Sequence, residues 1–361
     1  MSFSSIIGQE AAIGNLQNAF HKNRASHAYI FHGSRGVGKE TTALAIAKWL
    51  NCHNRSDSDF CGSCPSCRKI RSFNHLDVKF IFPRPATLKT NDIQEIIQKK
   101  VKNPDIPIYF DQNVSIVMED IREMQRQLSY PPYEAKTRVI IIREAEKMSV
   151  YTANALLKTL EEPPERTLLI LTANHLYTLL QTIRSRCQQV RFRDLLPEEI
   201  EKALRERYHK SKESARLLSH IANGSLGHVI GREEKSLMER REAVLDLVDS
   251  LPEGDPLQLI GHAEKWLKSK ESLDSRLQIL SLTYRDIILL NQEVATERYL
   301  SASDLKERLS EPARKIDFSA GQAALSEIDQ VRMSLTTNVN QQLALLHLFF
   351  TLRNIFHFRS E

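Results

Sequence analysis

No stretch of this chain is long and apolar enough to cross a bilayer, which takes roughly 20 consecutive apolar residues. The longest candidate, Leu343 to Phe356 (LALLHLFFTLRNIF), falls short and carries Arg353. The opening, MSFSSIIGQEAAIGNL, lacks the basic-then-apolar pattern of a secretory leader. Glycine and proline are scarce, 12 and 13 of 361 residues, and no internal repeat, low-complexity tract or heptad run interrupts an ordinary globular composition. The positive excess is only +5, too small to coat nucleic acid, so any DNA contact needs a local patch. These absences lead us to expect a cytoplasmic protein of two or three domains with no membrane association. Thiols stay reduced in that compartment, so clustered cysteines point to metal rather than to disulfides.

What is present begins with FHGSRGVGKETT, Phe31 to Thr42. Gly33, Gly38 and Lys39 fit the phosphate-loop pattern G-x-x-x-x-G-K-[ST], with Gly36 inside the loop, but Glu40 stands where a hydroxyl belongs. Thr41 follows one residue late, about 100° further round the helix. The apolar run SHAYIFHG precedes the loop and the helical TTALAIAKWLNC follows it, the strand–loop–helix context such a loop requires. Further short apolar runs at LDVKFIF, Val139 to Ile142, TLLILTAN and VRF alternate with helical segments. One of those helices lies around Ile93 to Val101, and another, SIVMEDIREMQRQLSY, has Ser115 as its expected cap. Buried strands alternating with helices imply a parallel sheet covered on both faces. Beyond about Arg193 every segment has helical spacing, and SLPEGDP, Ser250 to Pro256, is the clearest break.

Four of the five cysteines lie at Cys52, Cys61, Cys64 and Cys67, spaced C-x8-C-x2-C-x2-C. Two-residue gaps turn neighbouring thiolates onto one ion, and four sulfurs close a tetrahedral site with no open position. The expectation is a structural zinc. An iron–sulfur cluster is the lesser rival, and four unconnected thiols the bland alternative.

RVIIIREAEKM, then ANALLKTLEEPPE, then TIRSRCQQVRF, with a four-cysteine insert behind the phosphate loop, resembles the bacterial clamp-loader subunits of the AAA+ class. The resemblance spans nearly the whole chain and is weak over 83–115, which looks like an insertion. It implies an AAA+ P-loop NTPase-like α/β domain over 1–192 with the zinc module at 52–67. A small helical lid over 193–240 and an all-α collar domain over 241–361 would follow. HLDVKFIFP, Arg184 before Ser-Arg-Cys, and the closing TTNVNQQLALLHLFFTLR favour the delta-prime type. The ATP-hydrolysing gamma/tau type is the alternative. Implied partners are gamma/tau and delta subunits in a hetero-oligomer that acts on a sliding clamp and primer-template DNA.

The family's magnesium-binding Asp corresponds here to Arg143, its water-preparing Glu to Glu144, its first sensor to Thr172, and a nucleotide-sensing Arg to Gly227. Exchanging a carboxylate for a guanidinium swings the local charge by about two units. Each is worth on the order of 4 kcal/mol at ~4 Å in an effective dielectric near 20. Arg143 should therefore repel Mg²⁺ and is free to pair with Glu40. We expect the degenerate loop of Gly33, Gly36, Gly38, Lys39 and Thr41 to bind ATP weakly or not at all, without hydrolysis. By the same resemblance Arg186 is an arginine finger for a neighbouring subunit's ATP; otherwise it is a surface arginine paired with an acidic helix. Lys158, Glu161 and Glu162 are partner contacts or a solvated face. A free-standing zinc protein that reads nucleic acid ranks low, because the cysteine module lacks basic and aromatic density.

Overall fold

The computed structural model describes residues 2–88, 90–104, 108, 110, 113–231, 233–252, 255–268, 273–292, 299–335 and 339–357. They form two compact units, Met1–Glu199 with Gly224–Ile230, and Ile200–Asn223 with Gly231–Glu361.

The first unit is built on five strands, β1 (Ala28–His32), β2 (Val78–Ile81), β3 (Arg138–Ile142), β4 (Thr167–Ala173) and β5 (Gln188–Arg191). All pairings are parallel, in the order β2-β3-β4-β1-β5. The central strands read as unbroken apolar runs because both faces are covered: every residue of β3 and β4 is buried, whereas β5 at one edge is largely exposed. Alternation sorts the side chains. Phe31, Ile141 and Ile170 pack on one face against α1 (Glu10–His21), α2 (Lys39–Asn51) and α3 (Pro65–Arg71). Ile30, Ile140 and Leu169 pack on the other, against residues of α5 (Met118–Leu128), α6 (Val150–Glu161) and α7 (Gln181–Arg184). Between α3 and α5 in chain order comes α4 (Thr90–Lys102), the helix expected near Ile93. Ser115 does not cap α5, as its sequence position suggested. Its backbone pairs instead with Arg84, and the helix starts after Val117. The break expected over Ser250 to Pro256 falls between two helices, and its residues 253 and 254 lie outside the described residues.

The second unit is helical. It takes most of α8 (Pro197–Tyr208), then α9 (Lys212–Ile221), α10 (Glu234–Ser250), α11 (Pro256–Lys268), α12 (Leu273–Asn291), α13 (Lys306–Lys315), α14 (Phe318–Ser334) and α15 (Gln341–His357). α12 is its centre, with α9, α10, α13 and α14 around it. The apolar stripe of α15 is core: Leu345, Leu348, Phe349 and Leu352 are fully buried, and Phe349 meets Trp266 edge-on.

His-x-Asp-Val has a structural role in the first unit. Buried Asp77 accepts backbone N–H bonds from Tyr133, Glu134 and Ala135 at 2.9, 2.7 and 2.9 Å and faces Arg138 at 3.4 Å. It thereby fixes the turn that leads into β3. Burial alone would raise its pKa, but the three amides and Arg138 outweigh it and hold the carboxyl below its usual range. Its stabilising contribution is complete above about pH 3.9 and is lost as the pH falls through the lower folded value. Asp77→Ala should cost roughly 3 kcal/mol in urea denaturation at pH 7, because Arg138 and three amides lose their buried acceptor. The difference from wild type should shrink as the pH is lowered through that range.

Candidate functional site

The candidate site lies at the carboxyl end of the sheet, where β1 turns into α2. Gly33 has φ 144°, and a Cβ there would stand 2.2 Å from the Phe192 carbonyl at the end of β5. Gly36, with φ 79°, abuts Ser225 and Gly227 so closely that a Cβ would meet the Gly227 Cα at 2.9 Å. The Gly227 amide donates to the Gly36 carbonyl at 3.2 Å, and the Ser225 hydroxyl donates to the Arg35 carbonyl. Gly227 thus sits against the loop itself. Gln9, a residue that sequence reasoning passed over, is buried and donates to the carbonyls of Val37 and Arg193 at 3.1 and 2.8 Å, while its own carbonyl accepts from the Arg193 amide. It ties the amino-terminal segment, the loop and the end of β5 together.

Lys39 is buried, and its ammonium turns onto its own loop. It donates to the Gly33 carbonyl, to the Ser34 carbonyl at 2.7 Å and to Asn174 Oδ1 at 3.3 Å. Burial pushes its pKa down to about 8, against the pull of Glu146 and Glu144 and with the help of Arg143 and Arg35. Thr41 is half-buried on α2, and the hydroxyl of Thr42 is spent on the Gly38 carbonyl at 2.9 Å.

Arg143 follows β3 directly and is buried. Its guanidinium donates to Glu144 Oε1 at 2.7 Å and approaches Glu40 Oε2 at 3.6 Å. The ion pair that the substitutions suggested is therefore present. It is larger than sequence indicated: Arg35 reaches the same Glu144 oxygen at 3.3 Å, and Lys100 of α4 holds Glu40 Oε1 at 2.9 Å. Glu144 adopts a left-handed backbone, φ 48°, unusual for a side chain of its size, and Thr172 Oγ1 accepts its amide at 3.1 Å. Both oxygens of Glu40 and Oε1 of Glu144 thus have cations from the chain. Lys39 and the loop amides retain the chemistry to hold an anion, whereas a divalent cation would meet Arg143 and Lys100.

The sulfurs of Cys52, Cys61, Cys64 and Cys67 all lie within 4.8 Å of one another, and no other such group occurs among the described residues. Cys52–Cys61 and Cys52–Cys64 are 3.4 and 4.0 Å apart, around the ~3.8 Å edge of a tetrahedron with 2.3 Å metal–sulfur bonds and far beyond disulfide length. Amides of Cys61 and Cys64 donate to Cys52 and Cys61 sulfurs, each at 3.3 Å. Amide donation from Ser63 and Cys64 brings the Cys61 thiol down to about 6, toward the thiolate that a metal requires. The donor set fits one metal ion. Cys52 also ends α2, so the helix that starts at the phosphate loop finishes at the cysteine cluster. Cys187 stands apart, its pKa pushed up to about 12 by burial.

Arg186 occupies the turn between α7 and β5, with its side chain 34% exposed, and is bound to Glu161 at 2.6 Å and to the Thr182 carbonyl at 2.9 Å. None of these partners belongs to the loop cluster, so Arg186 does not complete the site of its own chain. Lys100 and the Ile108 carbonyl, which accepts from Arg143 at 3.1 Å, had no sequence signal, because the 83–115 segment matches no motif.

Residues 8–196 match the family model described as DNA polymerase III, delta subunit, and residues 235–354 match that of its C-terminal region. The delta' subunit of DNA polymerase III from Bacillus subtilis is 30% identical over 94% of this chain and 94% of its own length. The tau subunit from Escherichia coli is 29% identical over 72% of this chain, which spans only 37% of that longer protein. A gamma subunit-related protein of DNA polymerase III from Thermotoga maritima aligns structurally with TM-score 0.40 and 18% identity, over 96% of this chain and 99% of its own.

The lowered pKa of Lys39 has a definite sign. Between about pH 8 and the ordinary lysine value near 10.4 the unfolded chain binds the extra proton, so stability rises with pH across that window. Lys39→Met should abolish this increment, on the order of 3 kcal/mol, which is read as the difference between wild-type and variant denaturation curves at pH 7.5 and 10.5.

Proposed function

The chain belongs to the DNA polymerase III delta-subunit family of clamp-loader subunits, and we propose that within it the chain is a delta-prime-type member that hydrolyses no ATP and lends Arg186 to a neighbouring subunit's nucleotide. The observation that carries this reading is Arg143. A buried guanidinium at the end of β3, paired with Glu144 and near Glu40, occupies the place where a working site needs an acidic magnesium ligand. The loop of Gly33, Gly36, Gly38, Lys39 and Thr41 then serves as architecture, at most a weak anion holder.

Arg186 suits donation in trans. Guanidinium stays charged at any physiological pH and matches the spread charge of a transferring phosphoryl group. In the single chain it rests on Glu161, itself half exposed. Such a surface pair is worth under about 1 kcal/mol, so the arginine exchanges it readily for a phosphate. Residues 1–192 act as the α/β body, 193–240 as a lid and 241–361 as the collar through which the chain joins gamma/tau and delta subunits. The sliding clamp and primer-template DNA are engaged through that assembly. Cys52, Cys61, Cys64 and Cys67 hold a structural zinc.

Arg186→Ala should leave assembly with gamma/tau and delta subunits intact and cut the ATPase rate of the complex by about tenfold or more, and Arg186→Lys should not restore it. An unchanged rate rejects the finger. The wild-type chain alone should show no Mg²⁺-dependent turnover; measurable turnover would favour the gamma/tau alternative. Elemental analysis should find about one zinc per chain. Its removal by chelation, or Cys64→Ser, should lower the melting temperature by about 5 °C or more.

A further inference from the structure

Arg84 and Ser115, at the two ends of the 83–115 segment, are paired into a closed neck. The Arg84 and Ser115 backbones exchange hydrogen bonds of 2.9 and 3.2 Å, and the Arg84 guanidinium binds Asp120 at 2.8 Å. Phe110 stacks on Phe82 beside the neck, with ring centroids 6.5 Å apart. From this excursion two groups return to the nucleotide site. The Lys100 ammonium, only 7% exposed as a residue, meets Glu40 Oε1 at 2.9 Å. The Ile108 carbonyl accepts from Arg143 at 3.1 Å and from Arg35 at 3.4 Å.

We propose that Lys100 of α4 and the Ile108 carbonyl form an intramolecular plug of the metal position, in which the Lys100 ammonium, with Arg143, takes over the positive charge that a divalent cation carries in a working loop. A buried ammonium needs a carboxylate close by, and Glu40 supplies one at the loop position where a metal-binding hydroxyl belongs. The Ile108 carbonyl shares Nη2 of Arg143 with Glu144 and so helps to orient the guanidinium. Two chain cations thus hold the loop in its folded shape without nucleotide. Repair of the motif alone would not reopen the site, because an aspartate at 143 would be captured by Lys100. The inference rests on the reading of this site as catalytically silent. Turnover by the wild-type chain would defeat that reading, whereas the experiments below address the plug alone.

The full chain carrying Glu40→Thr and Arg143→Asp, which restores the hydroxyl and the carboxylate, is compared with the same chain carrying Lys100→Ala in addition. Mg-ADP binding is measured by calorimetry. Removal of the ammonium should tighten binding by about tenfold or more, and a change within about twofold overturns the plug. A milder pair guards against a misfolded triple variant. Lys100→Met and Glu40→Gln, singly and together, are compared by urea denaturation. If the two groups act as a unit, the double variant loses little more than either single; additive losses overturn the proposal.

Discussion

A single buried guanidinium organises the carboxyl end of the sheet. Arg143 is placed by β3, whose last residue is the fully buried Ile142, so it has no freedom to swing into solvent. A buried cation must find carboxylates, and its surroundings follow from that need. Glu144 bends into a left-handed backbone beside it, Glu40 turns toward it from α2, and Thr172 accepts the strained amide of Glu144. Arg35 and Lys100 then balance the carboxylates. Lys39, cut off from water, turns onto its own loop and loses basicity. The loop keeps its glycine geometry although Arg143 and Lys100 stand beside it, because Gly33 and Gly36 are required by the close approach of Phe192 and Gly227, whether or not a phosphate binds.

The other end of α2 is secured by different means. Cys52 ends the helix and belongs to the four-sulfur cluster, while Trp49 one turn earlier packs edge-on against Phe3 and donates its indole N–H to the Ser56 carbonyl. On the same side of the chain order, Asp77 gathers three amides of the turn before β3. The helix that starts at the phosphate loop is thus pinned at its far end by the cysteine module, and the strand that delivers Arg143 is set by Asp77. Both elements that carry the ion network, α2 with Glu40 and β3 ahead of Arg143, are thereby anchored away from it.

Much of the first unit was legible in sequence. Strands covered on both faces must be continuously apolar, so β1, β3 and β4 stand out in the letters alone, and Glu40 and Arg143 betray themselves by their offsets from Lys39 and from the end of β3. The cysteine spacing is equally local. Failures occur where a partner distant in sequence decides the outcome. Ser115 has the chemistry of a cap, yet the backbone of Arg84 claims it. Lys100 lies in a helix with an ordinary charged face, and only the path of the 83–115 excursion brings it to Glu40. Gln9 looks like any polar residue before a helix, until the fold places two carbonyls and an amide around it.

Arg143 and Arg186 are the same chemical group under opposite constraints. Arg143 is buried and bound to the carboxylates of its own chain, so its charge is consumed internally. Arg186 is one-third exposed on a turn between two short elements, and its acidic partner is half exposed. Electrostatic attraction at the surface is weak and screened, so Arg186 remains exchangeable, while Arg143 does not. A divalent cation brought to the same carboxylates would meet the buried Arg143 guanidinium, and that repulsion is little screened away from water. Under the proposed function this difference decides the roles: Arg143 closes the site of its own chain, and Arg186, held only by an exchangeable surface pair, is the group offered to a phosphate on another molecule.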